Sequence, residues 1–276
     1  MSQPTTIRLA LLALLAACCS FGGCASPTRF AVEIEGPRIA SGAPTGLDIR
    51  NSSGNVFVKV QPHLNEPEVR ATLRSVDPSV SPRPVNADPG AIVMARAEEF
   101  NGRQVLRVEA DTPPDVTGAV QIDLEILTPT CDGIRVQNAG GYVRLWGVAG
   151  AVDVDNRHTT PEGLTAKYVE VRSDQPISGP VQIRTADDDI YFVVGGNSSG
   201  TFEITVPDGH DYSLDIRLGS VTNAKPETNR WTGVFNNGTQ PIRLDAASGE
   251  VLVRVYEKPM GHKARGISTP RWPSWP

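Results

Sequence analysis

The sequence has few cysteines, and their positions exclude a fold held together by disulfides. It contains 4 cysteines in 276 residues, and Cys18, Cys19 and Cys24 all lie near the amino terminus. Cys131 is therefore alone in the body of the chain, where we expect it to pack as a small core residue. A chain of this length without a disulfide framework depends on a hydrophobic core for its stability.

The sequence also lacks an excess of positive charge. Its 26 lysines and arginines stand against 31 aspartates and glutamates, which gives a formal net charge of −5. Surfaces that bind nucleic acids or anionic membranes are usually basic. The composition therefore predicts neither a nucleic-acid partner nor direct electrostatic binding to a membrane, and no motif in the chain predicts a cofactor.

Helical periodicity is missing between Phe30 and Tyr256, where no segment has apolar residues spaced three and four apart. Short segments that alternate apolar and polar residues take its place, for example residues 120–126 and 251–255. Clusters of Gly, Pro, Asn, Asp and Ser separate these segments. Alternation with a period of two is typical of a strand with one face in the core and one in water. The sequence predicts an all-β protein.

Glycines mark where many of these strands begin. Seven times a glycine is followed two and four positions later by an aliphatic or Phe residue, at Gly54, Gly118, Gly141, Gly150, Gly179, Gly200 and Gly249. Aligning the turns on residues 51, 138, 185 and 246 gives a degenerate repeat, in which Asp188 stands where glycine stands elsewhere. Asp is among the few residues that tolerate left-handed turn conformations. This pattern predicts a β-solenoid-like stack of short strands with glycine-paced turns, and a β-sandwich is the alternative.

The amino terminus has the features of a bacterial export signal. A short apolar run, too short to span a bilayer, ends in Leu15-Ala16-Ala17-Cys18. This resembles the lipobox, whose cysteine is lipidated and becomes the mature amino terminus. We predict a lipoprotein signal peptide at residues 1–17 with lipid on Cys18. The alternatives are a signal at residues 1–23 with lipid on Cys24, or an ordinary secretory signal.

The rest of the chain divides into regions by composition. Residues 30–130 are predicted to form an amino-terminal β region, and residues 131–257 a carboxy-terminal β-repeat region. Residues 77–90 contain four prolines and no alternation, which predicts an exposed loop. Residues 258–276 are rich in Pro and Trp, and their prolines oppose regular structure, so a disordered tail is predicted.

The carboxy-terminal half resembles the putative adhesin domain family of bacteria. Members of that family contain Val-x-Gly-x-Val-x-Val units, then a Gly-rich segment, Ile-x-Leu and Ser-Gly-(Asp/Glu)-Val. The corresponding segments here are residues 145–154 and 235–253, and residues 47–58 resemble an initial strand pair. The resemblance covers roughly residues 45 to 255. It implies a β-solenoid-like stack and an adhesin-like role, and it carries no catalytic or binding residues to transfer.

Two groups of carboxylates could in principle form a cation site or an acid–base pair. Asp187, Asp188 and Asp189 are consecutive, so on a strand they would point to opposite faces, and the repeat explains them as turn residues. Asp153 and Asp155 would share one strand face, but two carboxylates fall short of the six to eight oxygens that Ca²⁺ takes. No metal site is predicted, and Asp153, Asp155, Asp187 and Asp189 are the only candidates for one.

Aromatic residues supply the candidate binding site. Tyr142 and Trp146 would point to the same side of a strand, opposite to Val143 and Leu145, and an exposed pair of rings could stack on sugars. Tyr168, Tyr191 and Trp231 could extend that surface if they shared its face. The alternative is that these rings pack against each other across strands, which is a common use of aromatics in sheets.

These observations predict a non-catalytic binding or structural module of the cell envelope, lipid-anchored to a bacterial membrane at the outer membrane or cell surface. Long flat sheet faces suit multiple small contacts with a cell-surface polysaccharide or an envelope protein. Two alternatives belong to other classes. One is a carbohydrate-active β-solenoid enzyme that uses Asp153, Asp155 and Asp187 to Asp189, and the other is an envelope-stress sensor domain.

Overall fold

The computed structural model of the chain describes residues 28–39, 42–75, 92–112, 120–160, 163, 165–177 and 179–261. These residues form twenty strands and a 3-10 helix, so the prediction of an all-β protein is confirmed. None of their helices is long and apolar enough to cross a membrane. The predicted signal peptide, with Cys18 and Cys24, and the proline-rich segment 77–90 lie outside the described residues.

The strands are named β1 to β20 in chain order. Their bounds are Thr28–Val32, Ile34–Glu35, Thr45–Asn51, Val56–Val60, Glu68–Ser75, Val93–Phe100, Arg103–Ala110, Val120–Thr128, Asp132–Ala139, Val143–Trp146, Ala149–His158, Val169–Ser173, Val181–Thr185, Ile190–Gly195, Gly200–Thr205, Tyr212–Ile216, Val221–Pro226, Arg230–Phe235, Pro241–Ala246 and Val251–Tyr256. The 3-10 helix, Pro259–Gly261, follows the last strand.

The strands form two sheets. Sheet A has nine strands in the order β1-β5-β8-β4-β10-β12-β14-β20-β16, and sheet B has eleven in the order β17-β18-β15-β19-β13-β11-β9-β3-β7-β6-β2. From β9 to β14 the chain alternates between them, since β9, β11 and β13 belong to sheet B and β10, β12 and β14 to sheet A. Each sheet contains strands from both predicted regions, 30–130 and 131–257. In sheet B, β3 of the first region pairs with β9 of the second, and in sheet A, β4 pairs with β10.

Most neighbouring strands are parallel, as in a solenoid, and the two sheets enclose a common core, as in a sandwich. Antiparallel pairs lie toward the ends of the sheets, for example β5 with β8 and β15 with β18. The order departs from a regularly advancing coil, because β19 lies between β13 and β15, and β20 lies between β14 and β16.

The core consists of in-register rows of apolar side chains. In parallel sheets with matched register, inward positions stack on inward positions, so each strand adds to rows begun by its neighbours. One such row in sheet A is Val58, Leu145, Val171, Phe192 and Val253, and one in sheet B is Ile49, Val136, Val154, Ile183 and Leu244. All are at most 1% exposed. Burial of each such side chain contributes about 1.5–3 kcal/mol.

The glycine turns stack on one another, which explains their spacing in the sequence. A Cβ atom on Gly141 would lie 2.1 Å from the carbonyl oxygen of Gly54, and one on Gly249 would lie 2.4 Å from that of Asp188. Asp188 has a φ of 71°, so the left-handed turn expected from the repeat is confirmed.

A ladder of buried amides runs beside these turns. The Nδ2 of Asn51 donates to Oδ1 of Asn138 at 3.0 Å, and the Nδ2 of Asn138 donates to Oδ1 of Asn156 at 2.9 Å. The Nδ2 of Asn156 in turn donates to the carbonyl oxygens of Gly141 and Lys167 at 2.9 and 2.7 Å. The ladder therefore ties three adjacent strands of sheet B to the turns that lead to sheet A.

The first residues of the predicted disordered tail are ordered. Pro259 is buried in the 3-10 helix, and the backbone N–H of Met260 donates to Oδ1 of Asp174 at 3.1 Å. A proline fits the first position of a single helical turn, so Pro259–Gly261 form a 3-10 turn at the start of the segment for which the sequence predicts disorder. Residues 262–276 lie outside the described residues. Cys131 is buried at 4% exposure, in agreement with its expected place in the core.

Candidate functional site

Four of the five aromatic residues considered from the sequence lie on one side of sheet A. Tyr142, Trp146, Tyr168 and Tyr191 occupy or immediately precede β10, β12 and β14, at positions that alternate with the core rows. Phe57 joins them from β4, since it lies opposite Arg144 in the register. We call these five rings the aromatic cluster. Trp231 is separate, because it packs on Phe202 in sheet B.

The rings of the aromatic cluster pack against each other across the strands. Tyr142 and Tyr168 are stacked, with ring centroids 5.3 Å apart and planes 7° apart. Tyr191 meets Tyr168 edge to face at 6.1 Å, and Trp146 meets Phe57 edge to face at 5.1 Å. Such pairs contribute about 0.5–1.5 kcal/mol beyond their burial.

The expected pair of exposed rings is therefore wrong for Tyr142. It is only 9% exposed, because the Tyr168 ring lies against it, and Trp146 is half-buried. Cross-strand packing, the alternative taken from the sequence, is what these residues do in the structure.

Three charged side chains lie among the rings. Arg144 and Glu170 are each 2% exposed, and Arg172 is 7% exposed. The Nε of Arg144 lies 3.2 Å from Oε2 of Glu170, and Arg172 donates to the other oxygen of the same carboxylate. The Arg144 guanidinium also lies 4.9 Å from the Tyr142 ring centroid and 5.2 Å from that of Tyr168. Ring faces stabilise the buried cation, and Glu170 neutralises part of the charge.

Two further polar groups of this region are buried. Within the described part of the chain, Nε1 of Trp146 has no hydrogen-bond partner, and the Tyr168 hydroxyl is hydrogen-bonded to Arg144. Burial raises the pKa of Tyr142 to about 12 and also raises the pKa of Tyr168, while the positive charge of Arg144 opposes both rises. These phenols are therefore neutral at physiological pH, and each can donate a hydrogen bond.

The outward side of sheet B is exposed and charged instead of buried. Two in-register rows of side chains cross it, and we call them together the charge face. The first row is Glu203, Arg243, Gln182, Asp153, Arg135, Asp48 and Arg107, and the second is Asp245, Arg184, Asp155, Gln137, Arg50 and Glu109. Seven strands about 4.8 Å apart make the first row about 29 Å long.

Opposite charges are neighbours along these rows. The atom pairs Arg243 Nε–Glu203 Oε2, Arg135 Nε–Asp153 Oδ2 and Arg107 Nε–Asp48 Oδ2 are 3.4, 3.7 and 3.4 Å apart. The first row contains three arginines and three acids, so its net charge is zero. It presents guanidinium donors and carboxylate acceptors in alternation and has no preference for a ligand of either sign.

Asp153 and Asp155 share the charge face, which confirms that they lie on one side of a strand. Both are paired with arginine. Asp155 accepts hydrogen bonds from Nε and Nη2 of Arg157 at 2.9 and 2.8 Å, and Nη1 of Arg184 lies 3.6 Å away. The Arg157 hydrogen bonds hold the pKa of the Asp155 carboxyl below its usual range. An acid with a lowered pKa does not serve as a proton donor at neutral pH.

Asp187 and Asp189 lie in the turn between β13 and β14, away from the charge face. The carboxylate of Asp189 accepts from the Glu250 N–H at 2.8 Å and from the Tyr191 hydroxyl at 2.6 Å. The backbone oxygen of Asp187 accepts from Oγ1 of Thr185 at 2.7 Å. Across the described ranges, no group of three or more His, Cys, Asp or Glu side chains is placed to bind a metal ion.

Sequence reasoning did not identify the buried Arg144 and Glu170 or the arginines of the charge face. The sequence does indicate that these side chains point away from the core, because each is the polar residue between two apolar positions of an alternating strand. What the sequence does not give is the register that brings Arg144 opposite Glu170 and Arg135 opposite Asp153.

The chain is similar to two solved structures. One is a putative cell adhesion protein from Clostridium sporogenes, with 8% identity, a TM-score of 0.44, and coverage of 84% of this chain and 100% of that one. The other is a putative adhesin from Bacteroides fragilis, with 10% identity, a TM-score of 0.25, and coverage of 84% and 97%. No family model and no curated protein matches the sequence. Membership of the adhesin family stays a prediction, and function is inferred from the chain's own side chains.

Proposed function

We propose that this protein is a non-catalytic, adhesin-like lipoprotein of the cell envelope whose charge face binds an extended polysaccharide. The observation that supports this proposal is the pair of in-register rows on sheet B. They repeat donors and acceptors at the strand spacing over about 29 Å. Sugar hydroxyls both donate and accept hydrogen bonds, so a polysaccharide chain laid across the strands meets a complementary group at each step.

The energetic basis of such binding is repetition. A surface ion pair contributes only about 0–1 kcal/mol to stability, so its partners lose little when they reorient toward a ligand. Each contact with one sugar is small, but contacts along a single polymer add through effective concentration. The neutral first row also explains why the proposed ligand is an uncharged or weakly charged polymer and not a nucleic acid.

An enzyme that uses Asp153 and Asp155 is a poorer fit to the geometry. Glycoside hydrolysis needs one carboxylic acid with a raised pKa opposite a second carboxylate. Here Asp153 is paired with Arg135, and Arg157 lowers the pKa of Asp155. Both carboxylates therefore serve better as fixed acceptors than as a proton donor and a nucleophile.

The proposal is tested by retention of the full-length protein, purified in detergent, on immobilised envelope polysaccharides. We expect retention of the wild type and loss of retention in the Arg135→Ala/Arg243→Ala variant. The matched control is Arg38→Ala/Arg217→Ala, which removes the same charge from two exposed, ion-paired arginines that are not in either row. This control is expected to bind like the wild type.

Two results would contradict the proposal. The first is no retention of the wild type on any envelope polysaccharide at accessible concentrations. The second is equal loss of binding in the two double variants, which would show that the charge face is not the binding surface. The intact mass of the mature protein separately tests the lipid anchor, since acylation at Cys18 fixes both the cleavage position and the added mass.

A further inference from the structure

The two rows of the charge face continue onto β6, where their pattern changes. In the pairing of β6 with β7, Arg96 lies opposite Arg107 of the first row, and Met94 lies opposite Glu109 of the second. Like charges that lie directly opposite each other in a sheet are destabilising. Within these two rows, Arg96 and Arg107 form the one such pair, and Met94 is the one apolar side chain. This end of the charge face therefore differs chemically from the rest.

A hollow opens at this point on the outward side of sheet B. Its volume is about 80 Å³, several times the minimum of about 10–15 Å³ that one water molecule needs. One wall is the Met94 side chain, which is 42% exposed, and Nη2 of Arg96 lies 4.0 Å from the Met94 sulfur. We call this space the β6 hollow, and the residues that line it are Met94, Arg96, Glu98, Arg107 and Glu109. It accommodates a group about the size of one sugar ring.

Acidic partners hold both arginines beside the hollow. Nε of Arg107 lies 3.4 Å from Oδ2 of Asp48, and Nη1 of the same guanidinium lies 3.5 Å from Oε2 of Glu98. Nη2 of Arg96 lies 3.2 Å from Oε2 of Glu35. An arginine has five N–H donors, so each guanidinium keeps donors for a ligand after these contacts. All three ion pairs are partly exposed and can therefore reorient at little cost.

The charges around the β6 hollow cancel, which determines the kind of ligand that it suits. Its lining contains two arginines and two glutamates, so an anion would meet two carboxylates and a cation would meet two guanidinium groups. A neutral ligand whose groups both donate and accept hydrogen bonds avoids both penalties. The Met94 wall adds an adaptable apolar contact surface. A neutral pyranose has this combination, because hydroxyls surround its rim and C–H groups cover its faces.

We propose that the β6 hollow is a binding subsite for one neutral hexopyranose residue. The C–H face of the ring packs on the Met94 side chain. The hydroxyls of the ring donate to the Glu98 and Glu109 carboxylates, and its oxygens accept from Arg96 and Arg107. This proposal rests on the proposed function and deepens it, since the hollow anchors the polysaccharide at the β6 end of the charge face. One anchored ring also fixes the register of the polymer on the two rows.

The methyl group of Met94 reports directly on this subsite in NMR spectra. The chain has 3 methionines, and one of the others, Met260, lies in the 3-10 helix that packs against sheet A, so its signal is an internal control. The full-length protein, purified in detergent and labelled with carbon-13 at the methionine methyls, is titrated with D-glucose, D-galactose, D-mannose and N-acetyl-D-glucosamine. The Met94→Leu variant assigns the signal.

We expect at least one of these four sugars to shift the Met94 signal saturably and to leave the Met260 signal unmoved. The dissociation constant should be on the order of 1–10 mM, because a single ring makes few contacts. The charged analogues D-glucuronate and D-glucosamine should bind at least about tenfold more weakly, because each meets two like charges in the hollow.

A pair of arginine variants tests the lining of the hollow. Arg96→Ala removes one guanidinium from it, so the dissociation constant of the bound hexose should rise at least about tenfold. Arg103→Ala is the matched control, because it removes the same charge from the neighbouring strand β7 and its partner, Asp132, lies outside the hollow. This control should bind the hexose like the wild type. Equal affinities in the two variants would overturn the proposal.

The outcomes separate this subsite from the proposed function. No saturable shift of the Met94 signal with any of the four sugars would overturn the subsite, and so would tighter binding of a charged analogue. If the wild type is still retained on a polysaccharide in that case, only the subsite fails. Conversely, hexose binding in the hollow without retention on any polysaccharide would support the subsite and contradict the proposed function.

Discussion

Replacement of Asn138 by Ala should destabilise the fold substantially. Asn138 has a small side chain and lies outside the charge face and the aromatic cluster. Asn138 is 1% exposed and sits in the middle of the amide ladder. The substitution removes two side-chain hydrogen bonds, from Asn51 and to Asn156. Asn51 keeps its bond to the Ile122 carbonyl at 3.1 Å. Oδ1 of Asn156, in contrast, loses its donor and is left buried.

The magnitude follows from these contacts. Two net hydrogen bonds are worth about 1 kcal/mol each, and an unsatisfied buried acceptor costs about 1–3 kcal/mol. We therefore expect the free energy of unfolding to fall by about 3–5 kcal/mol, a large part of the about 5–15 kcal/mol that stabilises a typical protein. Urea denaturation of the full-length chain, followed by tryptophan fluorescence, measures this loss as a lower midpoint with an unchanged slope.

Two further variants sharpen the measurement. Asn197→Ala removes an exposed asparagine and should stay within about 0.5 kcal/mol of the wild type. Asn138→Asp keeps an acceptor for the Asn51 amide, but it places a carboxylate oxygen beside Oδ1 of Asn156, which is also an acceptor. This variant should therefore be less stable than the wild type at neutral pH. The difference should shrink as the pH falls, because the protonated carboxyl can donate to Asn156. A loss in Asn138→Ala no larger than that in Asn197→Ala would refute the reasoning.

Three other predictions concern buried groups. Glu170→Gln leaves the buried Arg144 guanidinium without its carboxylate and should cost about 3–5 kcal/mol in urea denaturation. Gly141→Ala places a Cβ atom 2.1 Å from the Gly54 carbonyl oxygen, and a thermal melt should show destabilisation of at least about 2 kcal/mol. Burial raises the pKa of the Cys131 thiol from 9.0 to about 12. Between pH 9 and pH 12 the thiol ionises only in the unfolded chain. The free energy of unfolding should therefore fall above pH 9 by up to about 1.4 kcal/mol per pH unit. In Cys131→Ala this fall, measured by urea denaturation at each pH, should be smaller.

Each of these predictions has a matched control. Glu203→Gln breaks ion pairs on an exposed surface and should change stability by about 0–1 kcal/mol. Gly261→Ala adds a Cβ atom with nothing within 4 Å and should be neutral. For Cys131, the decisive interval is pH 9 to 10, below the raised pKa of Tyr142. An unchanged pH profile in Cys131→Ala, or a neutral effect of Glu170→Gln or Gly141→Ala, would contradict the corresponding argument.

The sequence predicts the strands and turns of this fold well because both depend on local chemistry. Alternation along residues 251–255 identifies a strand with one buried face, and that strand is β20. The repeat aligned residues 51, 138 and 185, and the structure places Asn51, Asn138 and Thr185 at matching strand ends beside the turns. The positive φ of Asp188 was predicted on the same grounds.

Strand order and site composition were not predictable in the same way. Whether Tyr142 is exposed depends on Tyr168, which is 26 residues later in the chain and becomes its neighbour only through the pairing of β10 with β12. Likewise, Asp153 is a free carboxylate in the sequence and an ion-paired one in the structure, because register places Arg135 beside it. Single-sequence patterns carry periodicity, but long-range register is set by the packing of the whole core.

The placement of β19 and β20 has a consequence for how the molecule is made. β19 alone joins β15 to β13, and β20 alone joins β16 to β14. Sheet B therefore stays in two pieces until β19, ending at Ala246, has been made, and sheet A until β20, ending at Tyr256, has been made. Such late, distant pairing slows folding. Each sheet is thus completed from its carboxy-terminal side, by a strand that enters between two strands already made.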